Sequence, residues 1–389
     1  MSQLLESRWT ETKDALLEGL QGNKRTVMAT TLENTRKYLA ESATAGATSA
    51  GNVATLNRVI LPVIRRVMPT VIANELVGVQ PMTGPVGQIH TLRVRYADSF
   101  DSANGTDVTA GEEALSPFKI AEGYSGATND KAASTAALEG RAGNRMSIQI
   151  LKQTVEAKTR KLSARWTFEA AQDAQAQQGI DIEAEIMAAL AQEITAEIDQ
   201  EVIASLNSLA GTVLTYDQAA VSGTATFVGD EHAALAVQIN RASNLIAQRT
   251  RRGAGNYAVV SPTVLTLLQS ATTSAFARTT EGTFEAPTNT KFVGTLNSAM
   301  KVYVNGYATS DDILIGYKGS SESDAPAFYC PYIPLMSSGV VLDPATFEPV
   351  VSFMTRYGYV ELTNTASSLG NAADYLAKVA VTSANLRFA

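Results

Sequence analysis

The run from Ile180 to Leu209 constrains this chain more than any other stretch. It follows Gly179, ends just before Gly211, and contains neither proline nor glycine. Ile182, Ile186, Leu190, Ile194, Ile198 and Val202 recur at four-residue steps, with Met187, Ile203, Leu206 and Leu209 beside them. That spacing predicts one α-helix with an apolar side that drifts slowly around its axis. Asp181, Glu183 and Glu185 fall in the first turn, where the helix dipole favours negative charge, and Gly211 suits the position past the end. Roughly 30 residues at 1.5 Å each make a rod of about 45 Å, against a usual ~11–12 residues. Such a rod is a spine, and the rest of the chain must supply the surface it lies on.

Bulk properties narrow the classes. At 389 residues the chain is long enough for two or more lobes. No apolar run approaches the ~20 residues of a membrane span, and Met1-Ser2-Gln3-Leu4-Leu5-Glu6 turns polar too soon for a signal peptide. A net charge of −7 argues against a tight, general nucleic-acid binder. One cysteine, Cys330, excludes an intrachain disulfide or a thiolate cluster, so the chain needs no oxidation to mature.

Residues 1–41 read as a segment apart, with Leu4, Leu5, Trp9, Leu16, Leu17 and Leu20 in one amphipathic piece and Thr26 to Glu41 in a second. The plain reading is a helical hairpin on the body; the sharper one is a detachable segment. Ser42 to Gly51 holds no large apolar group and reads as a flexible or extended linker. Residues 55–77 are strongly apolar, divided by Pro62 and Pro69 and interrupted by Arg58, Arg65 and Arg66. Val77 to Gly87 reads as a turn-rich loop.

Gln88–Tyr96 and Met146–Ala157 alternate as half-exposed strands do. Between them, Ala97–Asn144 offers no firm element and is predicted to be the projecting tip of an extended hairpin arm. Leu162, Trp166 and Phe168 sit on an apparent strand before an Ala/Gln/Asp helix. No Lys or Arg occurs between Arg165 and Arg241, a charge segregation suited either to contact between copies or to a solvated acidic face. Val213–Tyr216 and Ala225–Val228 read as short strands, and His232–Gln248 as a helix with Ala236, Ile239, Leu245 and Ile246 toward a core. Strands at Tyr257–Val260, Val302–Val304 and Ile313–Ile315 and a helix at Pro262–Leu268 make a second α/β lobe over 235–316. Residues 317–389 are mostly strand-like, ending in Leu376–Val381.

Reactive chemistry is sparse. Gly253-Ala254-Gly255 precedes a strand and lacks the Gly-Lys-Ser/Thr of a phosphate loop. His90 and His232 have no partner at ligand spacing, so no metal or cofactor is expected. Cys330 lies among aromatics in Tyr329-Cys330-Pro331-Tyr332 and reads as a buried structural thiol. Glu193 and Glu197 share a helix face as solvated or interfacial carboxylates. Arg249, Arg251 and Arg252 suit subunit contacts better than phosphate. No catalytic residue emerges.

Several blocks together resemble the major capsid proteins of T-even-type tailed phages. They are Val67–Asn74, Gly78–Gly87, Ala170-Ala171-Gln172-Asp173, Gln178-Gly179-Ile180-Asp181, Arg252-Gly253-Ala254-Gly255-Asn256, Gly316-Tyr317-Lys318-Gly319, Phe328–Leu335, Asp343–Pro349 and Thr355-Arg356-Tyr357-Gly358. The resemblance implies an α+β, HK97-like capsid fold. Its parts fall on a prosegment at 1–41, an N-arm at 42–87, an E-loop with a reduced insertion at 88–157 and a P-domain with the spine at 158–234. An A-domain follows at 235–316, then carboxy-terminal strands of the A- and P-domains at 317–389.

It also implies a virion protein assembled in the bacterial cytoplasm into hexameric capsomers. Its partners would be copies of itself, a vertex protein, scaffold, prohead protease, portal, and packaged DNA by non-specific proximity. A prohead protease of the family cuts after Glu in a hydrophobic-x-Glu sequence. Leu39-Ala40-Glu41 before Ser42 fits, although Glu6, Glu18 and Glu122 satisfy the same pattern. Arg58, Arg65, Arg66, Glu193 and Glu197 are the candidate inter-subunit residues. Alternatives are a pentameric vertex protein of the same fold, an encapsulin-type shell, or a soluble α/β enzyme.

Overall fold

The structure, a computed structural model, describes residues 22–45, 71–101, 107–112, 143–178, 181–221, 228–250, 252–271, 276–278, 291–297, 299–321, 324–346, 348–362 and 371–386, with isolated positions at 9–20 and 114–139. Two compact units share the chain. The first takes Met1–Gly87, Val155–Ser205 and Ala327–Val360; the second takes Gln88–Thr154, Leu206–Pro326 and Glu361–Ala389.

From the amino terminus come helix α1 (Asn23–Ala45), the single-turn α2 (Ala73–Leu76), and strands β1 (Gly78–Val79) and β2 (Val86–Tyr96). A short α3 (Thr135–Leu138) precedes β3 (Met146–Glu156), β4 (Lys158–Arg165), α4 (Phe168–Gln178) and the spine α5 (Ile182–Leu209). Then follow β5 (Thr212–Tyr216), α6 (Gln218–Val221), α7 (Val228–Thr250), β6 (Tyr257–Val260), α8 (Pro262–Ser270), β7 (Phe276–Arg278) and β8 (Lys291–Leu296). The chain closes with β9 (Met300–Val304), β10 (Ile313–Gly316), β11 (Ala327–Ser337), β12 (Val341–Leu342), β13 (Pro349–Glu361) and β14 (Leu376–Val381). The class is α+β, built from a long spine helix, an extended hairpin and two β-sheet units.

The spine forms as its sequence dictates. Asp181 accepts the Glu183 amide through Oδ1 at 3.1 Å, capping the first turn. Met187, Leu190, Ile194, Ile198, Val202 and Leu206 are buried, and Glu193, Glu197 and Glu201 are exposed on the other side. Its end differs from expectation. Gly211 does not adopt the left-handed backbone of a helix-terminating glycine; a Cβ there would stand 3.0 Å from both Cβ and O of Ala373. Close approach of another backbone, not helix termination, requires this glycine.

In the first unit β1, β11, β13 and β12 lie in that order, with β4 also paired to β13. Here β1 corrects the expected loop at Val77–Gly87: Gly78 and Val79 run parallel to Phe328 and Tyr329. The pairing continues beyond the strand through Gln80 N to Tyr329 O and Met82 N to Pro331 O, both 3.0 Å. β4 runs antiparallel to β13, from Arg165 opposite Val350 to Lys158 opposite Tyr357. Among the described residues β4 has no second neighbour, so it is an edge strand.

The second unit holds a seven-stranded mixed sheet, β5-β14-β10-β6-β9-β8-β7. Leu235, Ile239, Ala242 and Ile246 of α7 and Val264, Leu267 and Leu268 of α8 bury against Val260, Val302, Ile313 and Val379 of the strands. This sheet reaches beyond 235–316 at both ends, taking β5 and β14 as parallel neighbours. Two of the sequence blocks interlock here. The Asn256 side chain donates to Lys318 O at 2.6 Å and accepts from Lys318 N at 3.0 Å. A Cβ on Gly253 would collide with the Tyr317 ring, which explains the Gly-Ala-Gly better than any phosphate would.

The hairpin of β2 and β3 matches its expected strands. Ala97 N to Arg145 O and Ala157 N to Pro85 O, both 2.9 Å, close its two ends in one antiparallel register. Its tip is not elementless. Tyr96, Val108, Ala114 and Tyr124 form a small buried cluster with Val94 and Phe100 against it. Phe100 and Val108 form a two-residue bridge. Tyr124 OH donates to Arg145 O at 2.6 Å, and Arg145 pairs with Asp98 at 3.1 Å. Two further placements shift: Phe168 opens α4 and Val228 opens α7, each expected in a strand.

Candidate functional site

The candidate site is sought among the exposed surfaces and the ties that hold them in place. The first is the hairpin. Met146, Ile148 and Ile150 alternate along β3 and are 53%, 68% and 66% exposed. Residues two apart share a face of a strand, so they form one apolar stripe with nothing over it among the described residues. Arg145 and Lys152 bracket it.

The second surface is the carboxylate side of the spine. Arg160 of β4 donates to Glu197 at 2.8 Å, to Glu201 at 2.5 Å and to the Tyr357 hydroxyl of β13 at 2.5 Å. Tyr357 in turn donates to Glu201. Burial works against the charged guanidinium, but the Glu201 and Tyr357 hydrogen bonds outweigh it and raise its pKa. Burial also lifts Glu201, yet the bonds from Tyr357 and Arg160 leave it below the usual carboxylate value. Glu197 is therefore engaged inside its own chain. Glu193, one turn earlier, has no partner among the described residues.

A third feature lies on the buried side of the same helix. Asp199 is 1% exposed; its Oδ1 accepts the Ile72 amide at 2.8 Å, and its Oδ2 has no partner among the described residues. Burial pushes this carboxyl up to about 7, against a partial opposing pull from the Ile72 hydrogen bond. Tyr329 of β11, fully buried, is raised in turn by that burial and by the nearby Tyr357, Asp199 and Glu201.

The fourth is α1. Val27, Met28, Thr31 and Leu32 are buried along one side, and the helix packs on β11. Asn34, 5% exposed, donates to both Met82 O at 2.5 Å and Tyr332 O at 3.0 Å. Glu41 and Ser42 lie in this helix, which continues to Ala45. Ser42–Ala45 is thus helical rather than linker, because Ala40, Ala43 and Ala45 extend a formed helix at little entropic cost. Residues 46–51 lie outside the described residues, as do Arg58, Arg65 and Arg66.

Residues 53–381 match the sequence pattern of the family described as major capsid protein Gp23. The chain belongs to the Gp23 major capsid protein family. The major capsid protein of Vibrio phage KVP40 is 30% identical to it over 85% of this chain and 82% of its own length. That of Enterobacteria phage T4 is 30% identical over 82% of this chain and 78% of its own. Among solved structures, one from Microbacterium phage Oxtober96 superposes with a TM-score of 0.47 at 10% identity, covering 79% of this chain and 90% of that one. The capsid of Myoviridae phage XM1 gives 0.44 at 9% identity, covering 79% and 91%.

A Gp23-family protein is a structural component of the virion capsid, and its working sites are contacts with copies of itself. Burial pushes the Cys330 thiol up to about 11, so it carries no thiolate at neutral pH. No helix among the described residues is long and apolar enough to cross a membrane. Sequence reasoning missed Arg160, Tyr357, Asp199 and Asn34. Arg160 stands on a strand among Lys158, Lys161 and Arg165, and only pairing in register singles it out. Asp199 carried a usable signal: it falls between Ile198 and Val202 on the apolar side of the spine.

Proposed function

We propose that this protein builds hexameric capsomers of an icosahedral or prolate tailed-phage head enclosing double-stranded DNA. The observation that carries the reading is the family match over 53–381. The exposed stripe at Met146, Ile148 and Ile150 supports it, because an unpaired apolar face on an extended hairpin gains by burial in a neighbouring copy. On this reading 88–157 is the E-loop and 42–87 the N-arm. The P-domain is 158–234 and the A-domain 235–316, with 317–389 completing both. Scaffold, prohead protease, portal and a separate vertex protein are its partners in the host cytoplasm, and DNA is met by proximity alone.

Residues 1–41 act as a prosegment cut between Glu41 and Ser42. That bond lies near the end of α1, where the last carbonyls lack helical partners and local unwinding is cheap. Intact mass of mature particles tests it: a retained Met1 or Ser2 rejects cleavage. Electron microscopy of the purified protein tests assembly, with subunits expected at six-fold positions. Occupancy of five-fold positions alone selects a vertex protein, and closed shells that keep cargo without DNA select an encapsulin-type compartment.

A further inference from the structure

The first unit carries a receptor for a helix, and α1 is its ligand. Val27, Met28, Thr31 and Leu32 make one stripe at helical spacing, all below 5% exposure, on the side turned to β11. Polar contacts set its position. Asn23 Nδ2 donates to Val79 O at 3.3 Å, Lys24 pairs with Glu75 at 2.9 Å, and Asn34 reaches Met82 O and Tyr332 O. The acceptors lie on both β-paired segments, 79–82 and 332, so the helix reads their main-chain geometry as well as their apolar surface. An apolar stripe with polar ends is how an amphipathic helix is recognised in a groove.

We propose that this groove binds the amino-terminal helix with an affinity of its own, so that cutting the chain behind the helix does not release it. This rests on the reading of residues 1–41 as a prosegment. The intact chain supplies the helix at high effective concentration; a cut removes that tether and leaves the stripe and the Asn34 bonds in place. Loss of the prosegment from a shell then has two steps, breakage of the peptide bond and a separate undocking of the helix. Undocking uncovers the carbonyls of Val79, Met82 and Tyr332 and the face of β11 beneath.

The test uses the full-length chain carrying a specific protease site at residues 46–50, downstream of the docked stretch. After complete cutting, native mass spectrometry and gel filtration should find the amino-terminal fragment bound one-to-one. Asn34→Leu should speed its release at least tenfold, because two main-chain acceptors lose a buried donor. Hydrogen exchange in the seven-stranded sheet should be unchanged, showing that the variant is folded. Immediate loss of the unsubstituted fragment overturns the proposal, as does equal retention of the Asn34→Leu fragment. Because this cut is engineered, the outcome is independent of whether Glu41 is a natural cleavage site, which intact particle mass decides separately.

Discussion

Two buried carboxylates on helices separate the two units of this molecule. In the second unit Glu231 of α7 is 3% exposed and accepts Gln218 Nε2 at 2.7 Å, while its main-chain carbonyl takes the Tyr216 hydroxyl at 2.8 Å. In the first, Asp199 of the spine is buried to the same degree with one main-chain donor and one bare oxygen. Around Glu231 lies a contiguous apolar core spanning two helices and six strands. Around Asp199 stand a tyrosine-rich sheet and the Arg160–Glu201–Tyr357 network. A buried carboxylate whose partners are supplied favours one local packing. A unit held partly by ionisable ties can be reset by a proton or a rearrangement of partners, which suits the surface on which the amino-terminal helix docks.

The sharpest way to break this contrast is to open the apolar core. Ile239→Ala should destabilise the second unit by about 2–5 kcal/mol, read by denaturant unfolding. A loss under about 1 kcal/mol would place the dense core elsewhere.

Asp199→Asn should act in the opposite direction and only at high pH. The folded carboxyl sits near 7, above its ordinary 3.8, so the native state holds its proton more tightly than the unfolded chain. Its contribution is therefore full below the ordinary carboxylate pKa and is lost as pH rises toward 7. The variant should gain about 1–3 kcal/mol over the parent at pH 8 and nothing at pH 4. Parallel melting curves for the two proteins across that range would remove the switch-like character from the first unit.

Arg160→Met leaves Glu197 and Glu201 without their cation. Because these groups are partly exposed, the loss should be about 1 kcal/mol or less and shrink in high salt. Glu193→Lys is the cleaner probe of contact between copies than Glu197→Lys, which breaks this internal pair. The smallest effect on folding belongs to the hairpin. Met146, Ile148 and Ile150 all changed to Ser should shift stability by within about 0.5 kcal/mol, while shells counted by electron microscopy become scarce. Normal shells from that variant would assign the stripe no part in assembly.

How much of this was legible in the sequence follows from the range of the interactions. The spine, β2 and β3 announce themselves by a period over consecutive residues, and β6, β10 and β14 by short apolar runs. β1 does not: Gly78 and Val79 become a strand only because Phe328 and Tyr329 arrive beside them. The hairpin tip hides for the same reason, since Tyr96, Val108 and Tyr124 meet across a run of small residues. Glu193 and Glu197 read alike as bare carboxylates, and only the register of β4 on β13 shows that one is bound within the chain. The duty of Gly211 is hidden in the sequence because its crowding neighbour, Ala373, lies far along the chain.

The edge strand β4 has a consequence for crowding. Lys158, Lys161 and Arg165 stand exposed along it, while Arg160 turns inward to the spine. A head gathers many copies at extreme local concentration, where an open strand edge could zip to its twin and divert subunits into sheets or fibres. Every copy presents the same positive row there, so twin edges repel before their backbones can pair. What assembles is then decided by the surfaces that attract, and this open edge is kept out of the process by its own charge.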